Sequence, residues 1–308
     1  MQNGRAHLAL FGVALIYGAN YLIAKVALNS GYLEPSAFII LRVSFAAAAF
    51  WACAAALGIR EPVARRDWIW LGLCGLFGIA LNQLFFFYGL RLTTPINASL
   101  LMTTTPILVL LAASVLLKER ITALKLSGIA LGALGAIILI GYGKKFAYQS
   151  AGSLGDLFIF VNATAYAIYL VLVRRLLRRY HFLTVLKWIA LVGWTIVLGY
   201  GWSDLLAVQW AAFTPGIWAS VAYVLIFTSF GAYLLNAYAL KRVSPSVVSA
   251  YIYLQPVLAA LFSLVLGKES LTGVKLLAGG LIFLGVYLVS RPAKPTVSAS
   301  EAPGGIRR

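Results

Sequence analysis

"YGLRLTTPINASLLMTTTPILVLLAASVLLKERITALKLSGIALGALG", residues 88–135, returns 150 residues later as "YALKRVSPSVVSAYIYLQPVLAALFSLVLGKESLTGVKLLAGGLIFLG", residues 238–285. In this register Pro95 falls on Pro245, Ser99 on Ser249, Pro106 on Pro256 and Lys118-Glu119 on Lys268-Glu269. Thr122 falls on Thr272, Lys125 on Lys275 and Gly135 on Gly285. Shared Leu or Val means little in so apolar a chain. Two prolines, a Lys-Glu pair, Thr, Lys and Gly in one alignment do not arise easily by chance, so the chain reads as two copies of one unit.

The solvent for that unit is lipid. The 308 residues are 62% hydrophobic and 11% charged, against about a quarter charged in a soluble domain. A membrane span takes about 17–25 mostly apolar residues. Ten segments qualify: 7–27, 36–57, 68–88, 95–116, 123–143, 154–174, 182–201, 216–238, 245–266 and 273–290. Lipid satisfies no backbone polar groups, which leaves helices or a closed barrel. Segment length and the absence of two-residue alternation select helices. The first segment is too long for a signal-peptide core and lacks a small-residue cleavage site, so it reads as a retained helix. The expected fold class is an all-α membrane protein of ten transmembrane helices arranged as two inverted five-helix repeats. The expected units are 1–143, 154–290 and a disordered cytoplasmic tail, 291–308, rich in Pro, Ser, Ala and Gly.

The net charge of +17 raises nucleic acid as a ligand, but the basic residues sit in short connections such as "RRLLRRYH", 174–181. That pattern encodes membrane orientation. With the N-terminus in the cytoplasm, seventeen Lys and Arg fall on the cytoplasmic side and five (Arg91, Lys144, Lys145, Lys268 and Lys275) on the other. Both termini are therefore expected inside, in the inner (plasma) membrane. Cys53 and Cys74 lie in apolar runs without metal-ligand spacing.

Five spans precede the repeat point. An odd number brings the second copy in from the opposite side, an inverted-topology repeat whose halves can exchange conformations and open a central site alternately. Pro106 and Pro256 acquire meaning in that frame. Proline inside a helix removes a backbone hydrogen bond, and lipid tolerates this only where neighbours or a wet cavity make it good. Interruptions at matched places in two halves point to a binding site; a purely structural kink is the competing reading.

These residues resemble the drug/metabolite transporter superfamily, specifically its EamA-type ten-helix carriers. The resemblance rests on the paired Pro-x10-Pro, the Glu-x-x-Thr turn and Lys125-x-x-Gly128, less well kept as Lys275 and Ala278. "YGANY" at 17–21 looks like the family's aromatic-Gly-x-Asn-aromatic signature, Pro35 with Arg42 like its second helix, and "ATAYAIY" at 163–169 like the start of its second repeat. Tyr17 and Tyr166 stand where the family usually has Trp. The resemblance implies a carrier that moves small metabolites or amino acids, often outward. The helices it implies around the cavity are the first, third, fourth, sixth, eighth and ninth.

All eight carboxylates and both histidines fall in loops or at span ends, which weakens coupling through a buried acid and favours facilitated diffusion or exchange. Lys25 and Arg42 lie within spans. Arg42 is open to two readings: a structural pair with Glu34 or a backbone carbonyl, or a clamp for a carboxylate or phosphate on the cargo. The polar cavity candidates are Tyr17, Asn20, Tyr21, Asn82, Gln83, Ser99, Thr103, Asn162, Tyr166, Tyr169, Asn236, Tyr251 and Gln255. Each amide has an alternative role in helix–helix hydrogen bonding. Gly72, Gly75, Gly78, Gly128 and Gly132 read as close-approach sites.

No Walker-type loop, metal cluster or catalytic triad is present in the sequence. The expectation is a secondary transporter, not an enzyme, with no cofactor and no metal. Its expected partners are a small-molecule metabolite and the lipid bilayer, not nucleic acid, and a homodimer stays open. A carrier for phosphorylated or nucleotide-linked sugars is the alternative, and an intramembrane enzyme or scaffold the remote one.

Overall fold

The computed structural model describes residues 2–28, 30–92, 98, 101–141, 153–265 and 272–291. Ser99, Pro95, Lys268, Glu269 and the tail beyond 291 lie outside the described residues, as do the side chains of Tyr21 and Lys25. Among the described residues the chain is helical throughout, without a strand. The first span is Gln2–Leu28 and the second Pro35–Ala56. The third runs through Trp68–Gly75, a π turn at Leu76–Ala80, and Leu81–Leu92. The fourth contains Thr105–Leu116; the fifth is Ala123–Gly141, the sixth Ser153–Leu177 and the seventh Phe182–Leu206. The eighth joins Pro215–Tyr223, a π turn at Val224–Gly231, and Ala232–Leu240. The ninth joins Pro245–Ala250, a 3-10 turn at Tyr251–Tyr253, and Leu254–Val265; the tenth is Gly273–Ser290. Eight of the described helical segments are long and apolar enough to cross a membrane, and Thr105–Leu116 is a shorter apolar helix.

The helix starts follow local chemistry. Pro35, Pro215 and Pro245 occupy first-turn positions, where proline lacks only an N–H that has no helical partner anyway. Thr122, Thr214, Ser244 and Thr272 each accept the backbone N–H three residues on, at 3.3–3.4 Å. The Thr122/Thr272 match across the repeat is thus a matched pair of helix caps. Pro106 is not in mid-helix: the chain turns at 103–104, and Pro106 lies in the first turn of Thr105–Leu116. Pro256 likewise follows the Tyr251–Tyr253 break. Lys118 closes the fourth span with φ 53, letting the Glu119 N–H reach the Ala113 carbonyl at 3.1 Å. Glu119 then pairs with Lys125.

The packing is that of two copies related by a pseudo-twofold. The first span packs on the eighth and ninth, and the sixth on the third and fourth; the second meets the seventh and the fifth the tenth. Exchanging the halves leaves this set unchanged. The fifth–tenth crossing shows the symmetry at atomic scale. A Cβ on Gly128 would lie 2.7 Å from the Gly285 carbonyl oxygen, and one on Gly135 would lie 2.7 Å from that of Ala278. Gly285 is the repeat partner of Gly135, and Ala278 that of Gly128. A residue meeting its neighbour's image, and the neighbour meeting the residue's own image, is the signature of an isologous twofold contact. Large apolar side chains such as Val115 (76% exposed) and Leu276 (61%) cover the outside, as a lipid solvent requires. Gly72 is a correction to the close-approach set, because its position opens onto empty space.

One end of the bundle is joined by polar contacts. Arg179 Nη1 bridges both carboxylate oxygens of the buried Asp67 at 3.1 and 3.0 Å. The Tyr180 hydroxyl donates to Asp67 Oδ2 at 2.9 Å and accepts the Ala64 N–H at 3.1 Å. Glu61 Oε2 accepts the His181 N–H at 2.8 Å. At the symmetry-related end Ser36 donates to Asp204 and Ser220 to the Ile23 carbonyl, and among the described residues an apolar cluster dominates: Val208, Phe213 and Ile217 pack with Leu33 and Ala37. His181 also caps the seventh span, its Nδ1 accepting the Leu183 N–H at 3.3 Å. That bond needs an unprotonated Nδ1. Burial and then the nearby Lys241 hold the His181 pKa below the ordinary imidazole value, while Glu61 pulls it up.

Two measurements check this picture. Gly285→Ala places a Cβ 2.5 Å from the Gly128 carbonyl oxygen and 2.7 Å from the Gly132 nitrogen, backbone that cannot step aside. It should lower the thermal midpoint in detergent by the equivalent of about 1–3 kcal/mol, whereas Gly280→Ala, with nothing within 4 Å, should leave it level or higher. For His181 the folded pKa is depressed, so the unfolded chain binds more protons in acid. Stability is then fully present above about pH 6.5 and falls as pH drops below it. His181→Asn keeps a neutral cap and should remove that part of the acid slope.

Candidate functional site

The pseudo-twofold axis is marked by residues that meet their own repeat partners. Trp194 Nε1 donates to Ser44 Oγ at 2.9 Å, and the Tyr253 hydroxyl donates to the Thr103 carbonyl at 3.1 Å; both pairs are 150 residues apart. Gln83 and Tyr233, again repeat partners, meet side chain to side chain. Beside this last pair lies a slot lined by Arg42, Val43, Ala46 and Phe50 of the second span, Ile79 and Gln83 of the third, and Ser229 and Tyr233 of the eighth. It encloses about 10 Å³, room for about one water.

Arg42 is the chemical centre. Its Nε donates to Ser229 Oγ at 3.1 Å, and its Cζ lies 6.0 Å from the ring centroids of Phe38 and of Phe87. Both rings are within cation–π reach. Among the described residues no carboxylate pairs with Arg42. Of the two readings open for Arg42, the structural pair with Glu34 or a backbone carbonyl is not the one seen: its hydrogen-bond partner is the Ser229 hydroxyl, and among the described residues no carboxylate neutralises it. Tyr17, Tyr166, Tyr169 and Tyr233 stand close enough to one another to interact electrostatically, with Arg42 near Tyr17 and Tyr233. The Tyr166 and Tyr169 rings are 5.9 Å apart. Gly78 makes room for that group; a Cβ there would lie 2.3 Å from the Tyr169 ring.

The other candidates divide by position. Asn162 donates to the Asn82 backbone carbonyl, and Asn20 Oδ1 accepts from Thr228 Oγ1 at 3.2 Å, so these amides bind helix to helix. Asn162 Oδ1 is buried without a partner. Thr103 offers its carbonyl to Tyr253 on the axis. Tyr251 stands apart from the slot, its hydroxyl 2.9 Å from His7 Nδ1. Gln255 lies where the first and ninth spans approach, its carbonyl facing Gly18. Asn236 is half-buried on the eighth span. The second span, which the resemblance did not place at the cavity, supplies half of the slot, and the fourth and ninth supply none of its lining.

Sequence reasoning missed Ser229, Tyr233, Phe38, Phe87 and Lys187. Tyr233 was within reach, since the 150-residue register places it on Gln83. Lys187, buried in the seventh span, has its ammonium 4.8 Å from the Trp51 ring centroid.

The sequence matches the EamA-like transporter family twice, over residues 4–141 and 153–291. The "Uncharacterized transporter YyaM" of Bacillus subtilis (strain 168) is 28% identical, over 94% of this chain and 95% of its own. The "Probable terminal-alkyne amino-acid exporter" of Streptantibioticus cattleyicolor is 26% identical, over 99% of both. A protein of known crystal structure, 23% identical, overlays with a TM-score of 0.77 across 93% of this chain and 96% of its own, which bears on the fold alone. Two tandem family matches, set on two halves that pack as images of each other, establish that the chain belongs to the EamA-like transporter family.

Proposed function

We propose that the protein is a secondary carrier that exports or exchanges amino acids or similarly small metabolites, and that Arg42 holds the carboxylate of the cargo. The observation that carries this reading is the state of Arg42: a guanidinium 6.0 Å from each of two phenyl rings, held by one hydroxyl and, among the described residues, paired with no carboxylate. Such a group binds an anion strongly, because charge-assisted hydrogen bonds in a poorly hydrated site lose little to competing water. The tyrosines and Phe50 around it supply an apolar, ring-rich wall suited to the side chain of an amino acid. One relative is named a probable amino-acid exporter, in line with this chemistry.

Transport proceeds by exchange between the two halves, 1–143 and 154–290, which open the slot first to one face and then to the other. In that cycle a slot this small corresponds to a state without room for cargo. The protein sits in the inner (plasma) membrane with both termini in the cytoplasm, the orientation favoured by its Lys and Arg distribution.

Proteoliposomes loaded with unlabelled L-phenylalanine should accumulate labelled L-phenylalanine by counterflow without ATP. Arg42→Gln should slow this by at least about tenfold, the loss expected for one hydrogen-bonded charge pair. Counterflow absent for every amino acid in a panel, or unchanged in Arg42→Gln, would overturn the reading. Counterflow of inorganic phosphate or sugar phosphates in its place would move the assignment to a phosphorylated cargo. A cysteine introduced at Arg60 should react with a membrane-impermeant reagent only from the cytoplasmic side, and one at Ala211 only from outside.

A further inference from the structure

The third and eighth spans are both interrupted by a π turn, and at matching places. The 150-residue register carries Leu76–Ala80 onto 226–230, inside the Val224–Gly231 turn. π turns make up well under 1% of residues in ordinary proteins, and they cluster at functional positions. In each turn a carbonyl meets a side chain from the slot. Ser229 Oγ donates to the Val224 carbonyl, five residues back, at 3.0 Å. The Tyr233 hydroxyl comes within 3.5 Å of the Gly78 carbonyl in the other turn. Ser229 is also the acceptor for Arg42 Nε. An unbroken chain of hydrogen bonds therefore runs from the Arg42 guanidinium, through one hydroxyl, to the backbone of the eighth span.

We propose that Ser229 is a positioning residue that makes the π turn of the eighth span answer to whatever occupies Arg42. Resting on the reading that Arg42 takes the cargo's carboxylate, the sequence of events is an exchange of partners. The arriving carboxylate takes the Arg42 Nε–H together with one Nη–H in a side-on bidentate pair, and Ser229 loses the cation that polarises its hydroxyl. A hydroxyl that accepts from a cation donates more strongly; without it the bond to Val224 weakens and the turn loosens. The loosened turn lets the lower and upper parts of the eighth span, Pro215–Tyr223 and Ala232–Leu240, move independently. The device exists in one half only: the repeat partner of Ser229 is Ile79, which has no hydroxyl to offer.

The test uses the full-length protein in lipid nanodiscs and follows amide hydrogen exchange over 224–231, with counterflow measured alongside. Arg42→Gln without any ligand should speed exchange there several-fold, and L-phenylalanine should do the same to the wild type. Ser229→Ala should exchange fast with or without L-phenylalanine. Its KM should stay within about threefold of wild type while kcat falls at least about tenfold, a split that separates coupling from binding. Ser229→Thr, which keeps the hydroxyl, should restore kcat. Wild-type exchange over 224–231 in Arg42→Gln, or an unchanged kcat in Ser229→Ala, would overturn the proposal. Faster exchange in Arg42→Gln, in a protein that moves no amino acid, would support the coupling and reject the cargo.

Discussion

A backbone carbonyl in lipid must find its donor inside the protein. The architecture follows from how this chain meets that demand where its helices are interrupted. The fourth and ninth spans break just ahead of Pro106 and Pro256, and the third and eighth carry π turns. At three of these breaks a polar side chain meets a backbone carbonyl: Tyr253 at Thr103, Ser229 at Val224, Tyr233 at Gly78. Two of these groups, Ser229 and Tyr233, also line the slot beside Arg42. The cavity is a consequence of broken helices as much as a feature added to them.

The twofold relation gives the two ends of the bundle the same fold and different chemistry. One is joined through Asp67, Arg179, Tyr180 and Glu61; the other mainly through Val208, Phe213 and Ile217 over Leu33 and Ala37. Opening the first returns the buried Asp67 carboxylate to water, which solvates it, while Arg179 is already 39% exposed. Opening the second exposes apolar surface at about 25 cal/mol per Å². Equal halves can therefore have unequal resting populations. Ser229 facing Ile79 adds a second asymmetry, now at the centre. Under the proposed exchange mechanism, symmetry would provide two conformations of similar energy, and the departures from it would set the preference and the response to cargo.

Much of this was legible in the sequence. The repeat of Pro, Lys-Glu, Thr and Gly at one offset implied two inverted five-helix halves, and Arg42 and Gln83 stood out as polar residues within spans. Local rules could not see three things. The π turns have no composition of their own; Leu76–Ala80 reads as ordinary apolar helix. Ser229 looked like any small residue until Arg42, 187 positions earlier, was placed beside it. The amides of Asn20 and Asn162 carry the same chemistry whether they face a cavity or a neighbouring helix, and only packing decides that they bind Thr228 and the Asn82 carbonyl. The repeat register itself held more than propensity did, since it paired Gln83 with Tyr233 and Ser44 with Trp194.

The central claim is that two equivalent halves exchange conformations around the slot. Distances between spin labels test it most directly, with one pair at Arg60 and Arg178 across the polar end and another at Tyr32 and Ala211 across the apolar end. The account predicts two distance populations at each end that shift in opposite senses when L-phenylalanine is added, so that one end widens as the other narrows. Both ends widening together, or a single distance at each end under every condition, would contradict it.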